Sequence, residues 1–561
     1  MKEKAAELLA KQLSLKKEDI LLHIETPPTP SLGDYAFPCF NLSKELKKSP
    51  SDISKDISRT LKSRYFERIE SNGPYINFFI NRNALAKEIL EKILKEKGAY
   101  GSGSLKEKVV IEFLSPNTNK PLHIGHARNI ILGQAISNIL SFMGNEVHFV
   151  NLYNDRGVHI CKSMVAYDLF GNKTNPEKSK KKPDHFVGDF YVRFSEEFKK
   201  DSKLEVIAQE YLKRWEKGDK KILLLWKKMN SWAVQGFKQT YKLFGLNIEK
   251  NYYESKIYNK GKEIIEEGIK KGVVKRKPDG ALYIDLSEEG LGEKILLRSD
   301  GTSIYITQDV YLALLKYKEF HFDKSIIISA TEQRHHFKVL SSVLNKLGYQ
   351  REAKSIHLDY GMVNLESGRM KSREGKVVDT DDLIEEMKFL AAEEISSRHK
   401  KISKTEKNKR AQTITLAALR YYFLKVERIK GLTFKPRESL RFDGDTGPYL
   451  LYTYSRAKSI ISNLKRNSNI SINSPIHDKE KEILLQLSNF PSAVFQAYNS
   501  LSPNIIANYA FHLAQTFNQF YHNEKVLGSS QERFRGSLVK AVAQVLCNSF
   551  YLLNMSYLEK M

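Results

Sequence analysis

The stretch at residues 115–133, SPNTNKPLHIGHARNIILG, constrains the fold more than any other part of the chain. Before it, residues 109–114 (VVIEFL) form a short apolar run rich in β-branched side chains, the pattern of a buried parallel strand. The polar residues 115–121 end that strand in a turn. From Gly125 onward, Leu132, Ile136, Ile139, Leu140 and Met143 recur at three- and four-residue spacing until Gly144. This predicts a helix whose apolar stripe packs on a sheet. A second apolar run, Glu146–Tyr153, follows. Strand, turn, helix and strand in this order aim the free N–H groups of a helix N-terminus at the turn, a ready anion site. Within the turn His123 and His126 can donate ring N–H bonds to phosphate oxygens, and Gly125 leaves room for a flat base on the backbone. The four letters HIGH alone are equally compatible with two surface histidines at a helix start.

The surrounding letters decide between these readings. SPNTNKPLHIGHARN resembles the signature of class I aminoacyl-tRNA synthetases, in the form found in arginyl-tRNA synthetases. The resemblance implies catalytic roles for His123, His126 and Lys120, and ATP contacts from Pro121, Gly125 and His126. The family's second signature, KMSKS, has a degenerate counterpart in Arg369, Met370, Lys371, Ser372 and Arg373, also expected at ATP. Ser372 stands where the usual second lysine would be. In this family a lysine just before the HIGH sequence is thought to supply the charge, and Lys120 occupies that place. The division of labour among Lys120, Arg369, Lys371, Arg373 and Lys376 stays open.

A site for arginine must receive a planar cation with five donors, which calls for carboxylates and amide oxygens at fixed angles. The family match supplies Asn117, Glu254 in YYES, Tyr305 and Asp309 in YITQD, and Gln333 in TEQ. Taken alone, Asp309 also reads as an ordinary acid in the first turn of a helix. The implied reaction has two steps: arginine and ATP, the latter with Mg2+, give arginyl-adenylate, and the terminal adenosine 2′-hydroxyl of tRNA(Arg) then takes the arginyl group. Two other readings are another class I synthetase or HIGH-type nucleotidyltransferase, and a catalytically silent RNA-binding relative.

The formal charge of +25 and pI near 9.5 favour a polyanionic partner, although lysine enrichment also arises from genome composition. Cys39, Cys161 and Cys547 lie far apart, so no disulfide framework or zinc site is expected. The start MKEKAAELLAKQL lacks an apolar signal core, and no run of about 18 apolar residues occurs. A cytoplasmic monomer without membrane contact is the expectation.

At 561 residues the chain needs several cores. The fold expected is α/β: a Rossmann-type nucleotide-binding catalytic domain at 105–380, an N-terminal α+β domain at 1–104 and an all-helical bundle at 381–561. Residues 154–298 read as an insertion in the catalytic domain, with 173–183 a solvated charged loop and 101–104 (GSGS) a linker. GDYAFPCFNLSKEL and GPYINFFI resemble the arginyl-tRNA synthetase domain that contacts the D-loop corner of tRNA, which makes Tyr75 and Asn77 candidate base contacts. DTGPYLLYTYSRAKSI resembles the anticodon-binding domain, with Tyr449 and Arg456 as candidates, while the tyrosines at helical spacing there read mostly as core.

Overall fold

The computed structural model describes residues 1–365, 379–398, 401–464 and 470–561. The N-terminal unit carries β1 (Tyr35–Pro38), β2 (Phe66–Asn72) and β3 (Tyr75–Ile80), antiparallel in the order β1-β3-β2. Alternation along β3 turns Ile76, Phe78 and Ile80 into the core against the helices Lys2–Leu13 and Pro50–Thr60. The GSGS stretch after this unit is not a loose spacer. Gly103 N–H donates to Phe142 O at 3.1 Å and Leu105 N–H to Met143 O at 2.9 Å, both at the C-terminal end of the helix Ile124–Phe142. A Cβ on Gly101 would lie 2.8 Å from the Phe490 ring, and one on Gly103 2.7 Å from Met143. Glycine serves close packing here.

The central unit runs through β4 (Lys108–Glu112), β5 (Glu146–Tyr153), β6 (Lys250–Tyr253), β7 (Val274–Arg276), β8 (Leu282–Leu286), β9 (Gly292–Leu297), β10 (Lys324–Ala330) and β11 (Ile356–Tyr360). Five of these form one parallel sheet in the order β11-β10-β4-β5-β6. The strand order reverses between β4 and β10, and the crevice beyond their C-terminal ends is where such sheets hold ligands. The helix Ile124–Phe142 is buried nearly all round rather than along one stripe. It lies between the sheet and the helices Lys404–Leu424, Asp478–Ser500 and Glu532–Leu552, so both its faces are covered.

The expected insertion at 154–298 needs correction, because β6 falls within it and pairs in parallel with β5. Four long helices, Val158–Phe170, Pro183–Phe198, Lys203–Glu216 and Lys220–Phe244, precede that strand. After it β7, β8 and β9 form a small antiparallel sheet with its own core of Ile265, Ile284, Leu286, Leu296 and Val343. The basic segment at 173–183 is also not wholly solvated. The Lys182 ammonium lies 3.0 Å from Asp184 Oδ2, 2.7 Å from Asp381 Oδ2 and 2.7 Å from Thr240 Oγ1.

The C-terminal part is helical, as its periodicity predicts: Thr380–Arg398, Lys404–Leu424, Gly447–Ser462, Asp478–Ser500, Asn504–Asn523 and Glu532–Leu552. One feature the periodicity hides is a parallel pair of short strands, β12 (Val363–Leu365) and β13 (Leu432–Phe434), which ties this bundle to the end of β11. No helix among the described residues is long and apolar enough to cross a membrane.

Candidate active site

The turn after β4 is held by the end of β5. Asn154 N–H donates to Pro116 O at 3.0 Å, its Nδ2 donates to Ser115 O at 2.9 Å, and Thr118 N–H returns to Asn154 O at 3.2 Å. Ser115 takes a left-handed φ of 50° to make the bend, and its hydroxyl donates to Glu112 Oε1 at 2.7 Å.

His123 is the N-cap of the helix Ile124–Phe142. Its Nδ1 accepts the N–H of Gly125 at 3.1 Å, and His126 Nδ1 accepts the N–H of His123 at 3.1 Å. These two bonds close a reciprocal capping box made of imidazoles. Because each Nδ1 accepts, the proton of each neutral ring sits on Nε2, which is left to donate toward a ligand. Burial, reinforced by the nearby Lys120 ammonium, lowers His123 to about 4, and burial with His123 and Lys120 holds His126 well below the ordinary imidazole value. Both rings are therefore neutral donors at neutral pH. Gly125 has a local role too: a Cβ there would lie 2.9 Å from His123 Cε1 and push the ring away. Lys120 does not line the cavity, but its charge acts on both histidines. Pro121 packs on the helix Pro183–Phe198, where a Cβ on Gly188 would meet its Cδ at 2.6 Å.

A cavity of about 630 Å³ opens at the strand-order reversal. It brings together Asn117, His123, Gly125, His126, Tyr305, Asp309 and Gln333 from three separate parts of the chain. Tyr305 is the first residue of the helix Tyr305–Phe320, so Tyr305 and Asp309 share one face a turn apart. Ahead of this helix Ser303 makes an isolated bridge to Leu297. Gln333 ends the turn Thr331–Gln333 beyond β10.

Glu254 lies behind this wall, 6 % exposed, at the start of the short helix Glu254–Ile257. That helix is fixed by Asp155, whose two carboxylate oxygens accept Ser255 N–H at 2.8 Å and Ser255 Oγ at 2.7 Å. Burial lifts the Glu254 carboxyl to about 7, with Asp155 and Asp309 adding to the rise and Arg156 opposing it. Of these three carboxylates Asp309 lines the cavity, while Asp155 is engaged by Ser255. Inspection of motifs missed His159, Gln308 and His336, which also line the cavity. His336 was visible only as part of the polar run TEQRHH after a strand. Arg369, Met370, Lys371, Ser372 and Arg373 lie outside the described residues.

The description "tRNA synthetases class I (R), catalytic domain" matches residues 89–435, well over half of the chain. The chain belongs to the arginyl-tRNA synthetase family. The description "Arginyl tRNA synthetase N terminal domain" matches residues 1–80, and "DALR anticodon binding domain" matches 450–561. The chain is 41 % identical to the arginine–tRNA ligase of Borrelia hermsii (strain HS1 / DAH) over 99 % of its length and 97 % of that protein's. It is also 41 % identical to the arginine–tRNA ligase of Treponema denticola, covering 96 % of this chain and 95 % of that one. Among solved structures, Thermus thermophilus arginyl-tRNA synthetase superposes with a TM-score of 0.80 at 25 % identity, over 100 % of this chain and 99 % of that one.

Helical and N-terminal units flank the catalytic sheet in the chain order that the three family descriptions match. In the helical unit Arg456 lies 4.8 Å from the ring centroids of both Tyr452 and Tyr521, each about two-fifths exposed. Its Nη1 donates to Asn518, whose Nδ2 donates to Tyr449 Oη at 2.9 Å. Tyr449 is therefore a support, and the exposed rings beside Arg456 are Tyr452 and Tyr521. In the N-terminal unit Tyr75 and Asn77 share the face of β3 opposite the core. Tyr75 is half-buried, its ring edge-on to the exposed Phe40 at 5.8 Å, while Asn77 is buried between β1 and β2.

Proposed function

We propose that the cavity binds L-arginine and ATP side by side and joins them to arginyl-adenylate. The observation that carries this reading is that one cavity is lined both by Asp309, with the buried Glu254 close enough to feel its charge, and by the capped His123–His126 turn. One wall suits a cation with many donors, and the other presents neutral N–H donors at a helix N-terminus where phosphate belongs.

Asn117 and Gln333 orient the amino-acid end, and Asp309 and Glu254 receive the guanidinium. The arginine carboxylate attacks the α-phosphorus of MgATP and pyrophosphate leaves. His123 and His126 donate through Nε2 to phosphate oxygens whose charge grows in that step, and Lys120 adds positive potential at the same turn. The terminal 2′-hydroxyl of tRNA(Arg) then attacks the arginyl carbonyl and releases AMP. No protein nucleophile is required, and positioning with charge stabilisation supplies the rate. Tyr75 and Arg456 are assigned to tRNA, with Tyr449 supporting Arg456 through Asn518 and Asn77 buried in β3 beside Tyr75, in a cytoplasmic monomer without zinc.

Incubating the chain with ATP, a tRNA pool and each amino acid in turn tests the reading. Arginine alone should become attached. Attachment of a different amino acid would favour another class I specificity, and no attachment with retained tRNA binding would favour an RNA-binding role.

A further inference from the structure

Asp309, assigned above to the substrate guanidinium, already has a partner within the chain. His336 Nε2 lies 2.6 Å from Asp309 Oδ2, and both residues line the cavity. His336 stands in the first turn of the helix Arg334–Lys346, which packs against the helix Tyr305–Phe320 that carries Asp309. Other nearby cations are committed elsewhere: Arg334 to Asp359 at 2.7 Å, and Lys316 to the buried Glu112. We propose that His336 is the internal counter-charge of Asp309, a positioning residue that surrenders this carboxylate to the guanidinium of arginine and remains as a neutral imidazole. The proposal rests on the arginine reading of the cavity.

The choice of residue type follows from chemistry. A lysine or arginine at this position would stay charged and compete with the substrate permanently, whereas an imidazolium can discharge by giving its proton to solvent. Until then the hydrogen bond fixes the rotamer of Asp309. The charged and titratable groups around the pair are Tyr305 on the Asp309 helix, Glu254 on the short helix Glu254–Ile257, His357 on β11, and Arg334 and His335 on the His336 helix. Of these, His357 bonds Ser329 Oγ at 2.8 Å and stacks on Phe337, with ring centroids 4.5 Å apart. The hydrogen bond and charge of Asp309 raise the His336 midpoint, against burial, which lowers it. A guanidinium placed on Asp309 cancels that field, and burial then lowers the midpoint and drives the proton off.

The sign of the linkage is fixed. Below its raised midpoint His336 is charged and competes with arginine, so arginine affinity falls as pH falls through that midpoint, by up to about tenfold per pH unit. Glu254 protonation acts in the same direction, so a direct view of His336 is needed. The experiment is NMR of the full chain with 13C-labelled histidine, titrated with and without saturating L-arginine, using His336→Gln to assign the resonance. The His336 midpoint should stand above the ordinary imidazole value without arginine and fall below it with arginine bound. If His336→Gln fails to fold, Asp309→Asn provides the assignment, since only the His336 resonance should lose its raised midpoint. Bound arginine with an unmoved His336 midpoint would overturn the proposal alone. An absence of any arginine binding by calorimetry would overturn the arginine reading and the proposal with it.

Discussion

His126 Nδ1 accepts the backbone N–H of His123 at 3.1 Å, while His123 Nδ1 accepts that of Gly125 at the same distance, so each ring is locked with Nε2 outward. His123→Ala and His126→Ala should each slow adenylate formation, by about 2.7 to 4 kcal/mol if each supplies one oxyanion-type donor. Arginine affinity should change little. With His123 lowered to about 4 and His126 well below its ordinary value, their contribution should not vary between roughly pH 6 and pH 8. Single-turnover adenylate formation across that range checks both statements.

Lys120 sits three residues before His123, and its charge is felt by both rings. Lys120→Met keeps the apolar stem and removes the charge. Activation should slow by roughly two orders of magnitude, by analogy with the loss of one preorganised donor. Ser372→Lys in the Lys120→Met background should recover part of the rate. Single-turnover assays with tRNA present are the measurement, and normal activation by Lys120→Met would move the role to Lys371, Arg373 or Lys376.

Asp309→Asn should weaken arginine binding by about 2 to 5 kcal/mol, the cost of a cation left without its charged partner. The Michaelis constant for ATP should hold. An unchanged constant for arginine would return Asp309 to an ordinary helix residue.

Glu254 allows a test of the opposite sign. Its carboxyl, raised from 4.5 to about 7, binds more protons in the folded chain than in the unfolded one between those values. Stability without arginine should therefore fall as pH rises through that window and level off above it, by about 3 kcal/mol in all. Glu254→Gln should remove this fall and raise the thermal midpoint near pH 8 while weakening arginine binding. Thermal scans at pH 5 and pH 8 with and without arginine would show the trade.

Arg128 is fully buried in the helix that starts at the HIGH turn, and it donates to Gly361 O at 2.5 Å, Lys430 O at 2.9 Å and Arg428 O at 3.1 Å. It joins that helix to Gly361 just after β11 and to the loop between the helix Lys404–Leu424 and β13. Arg128→Met leaves Gly361 O and Lys430 O without a donor, while Arg428 O keeps the N–H of Gly361 at 2.9 Å, and it should destabilise by on the order of 3 kcal/mol. Arg128→Lys should recover only part, since one ammonium lacks the span of a guanidinium. The unfolding midpoint is the readout.

Where the sequence was legible, short-range preferences and tertiary packing agree. Glu146–Tyr153 forms a strand over the same residues as its apolar run because that run ends at turn residues. The C-terminal part is helical as expected, its helix Lys404–Leu424 starting at the Ser403 cap. The site residues Asn117, His123, Gly125, His126, Tyr305, Asp309 and Gln333 were identified from motif resemblance, and one cavity gathers them.

The tertiary structure decided what depends on residues far apart in the chain. A four-residue strand such as β6 has too few side chains to declare its sheet, so only the edge of β5 assigns it. Lys182 reads as one charge in a basic run until Asp381, nearly two hundred residues later, folds against it. The same holds for GSGS, whose glycines are required by Phe490 and Met143, and for His336, whose meaning depends on Asp309 across two packed helices. Sequence alone determined the elements and the chemical types present at the site, because dihedral preference and hydrophobic period act over a few residues. Which charges are paired and which are left for a ligand was decided by tertiary structure, because Coulomb energy and desolvation depend on distances in space, not on separation along the chain.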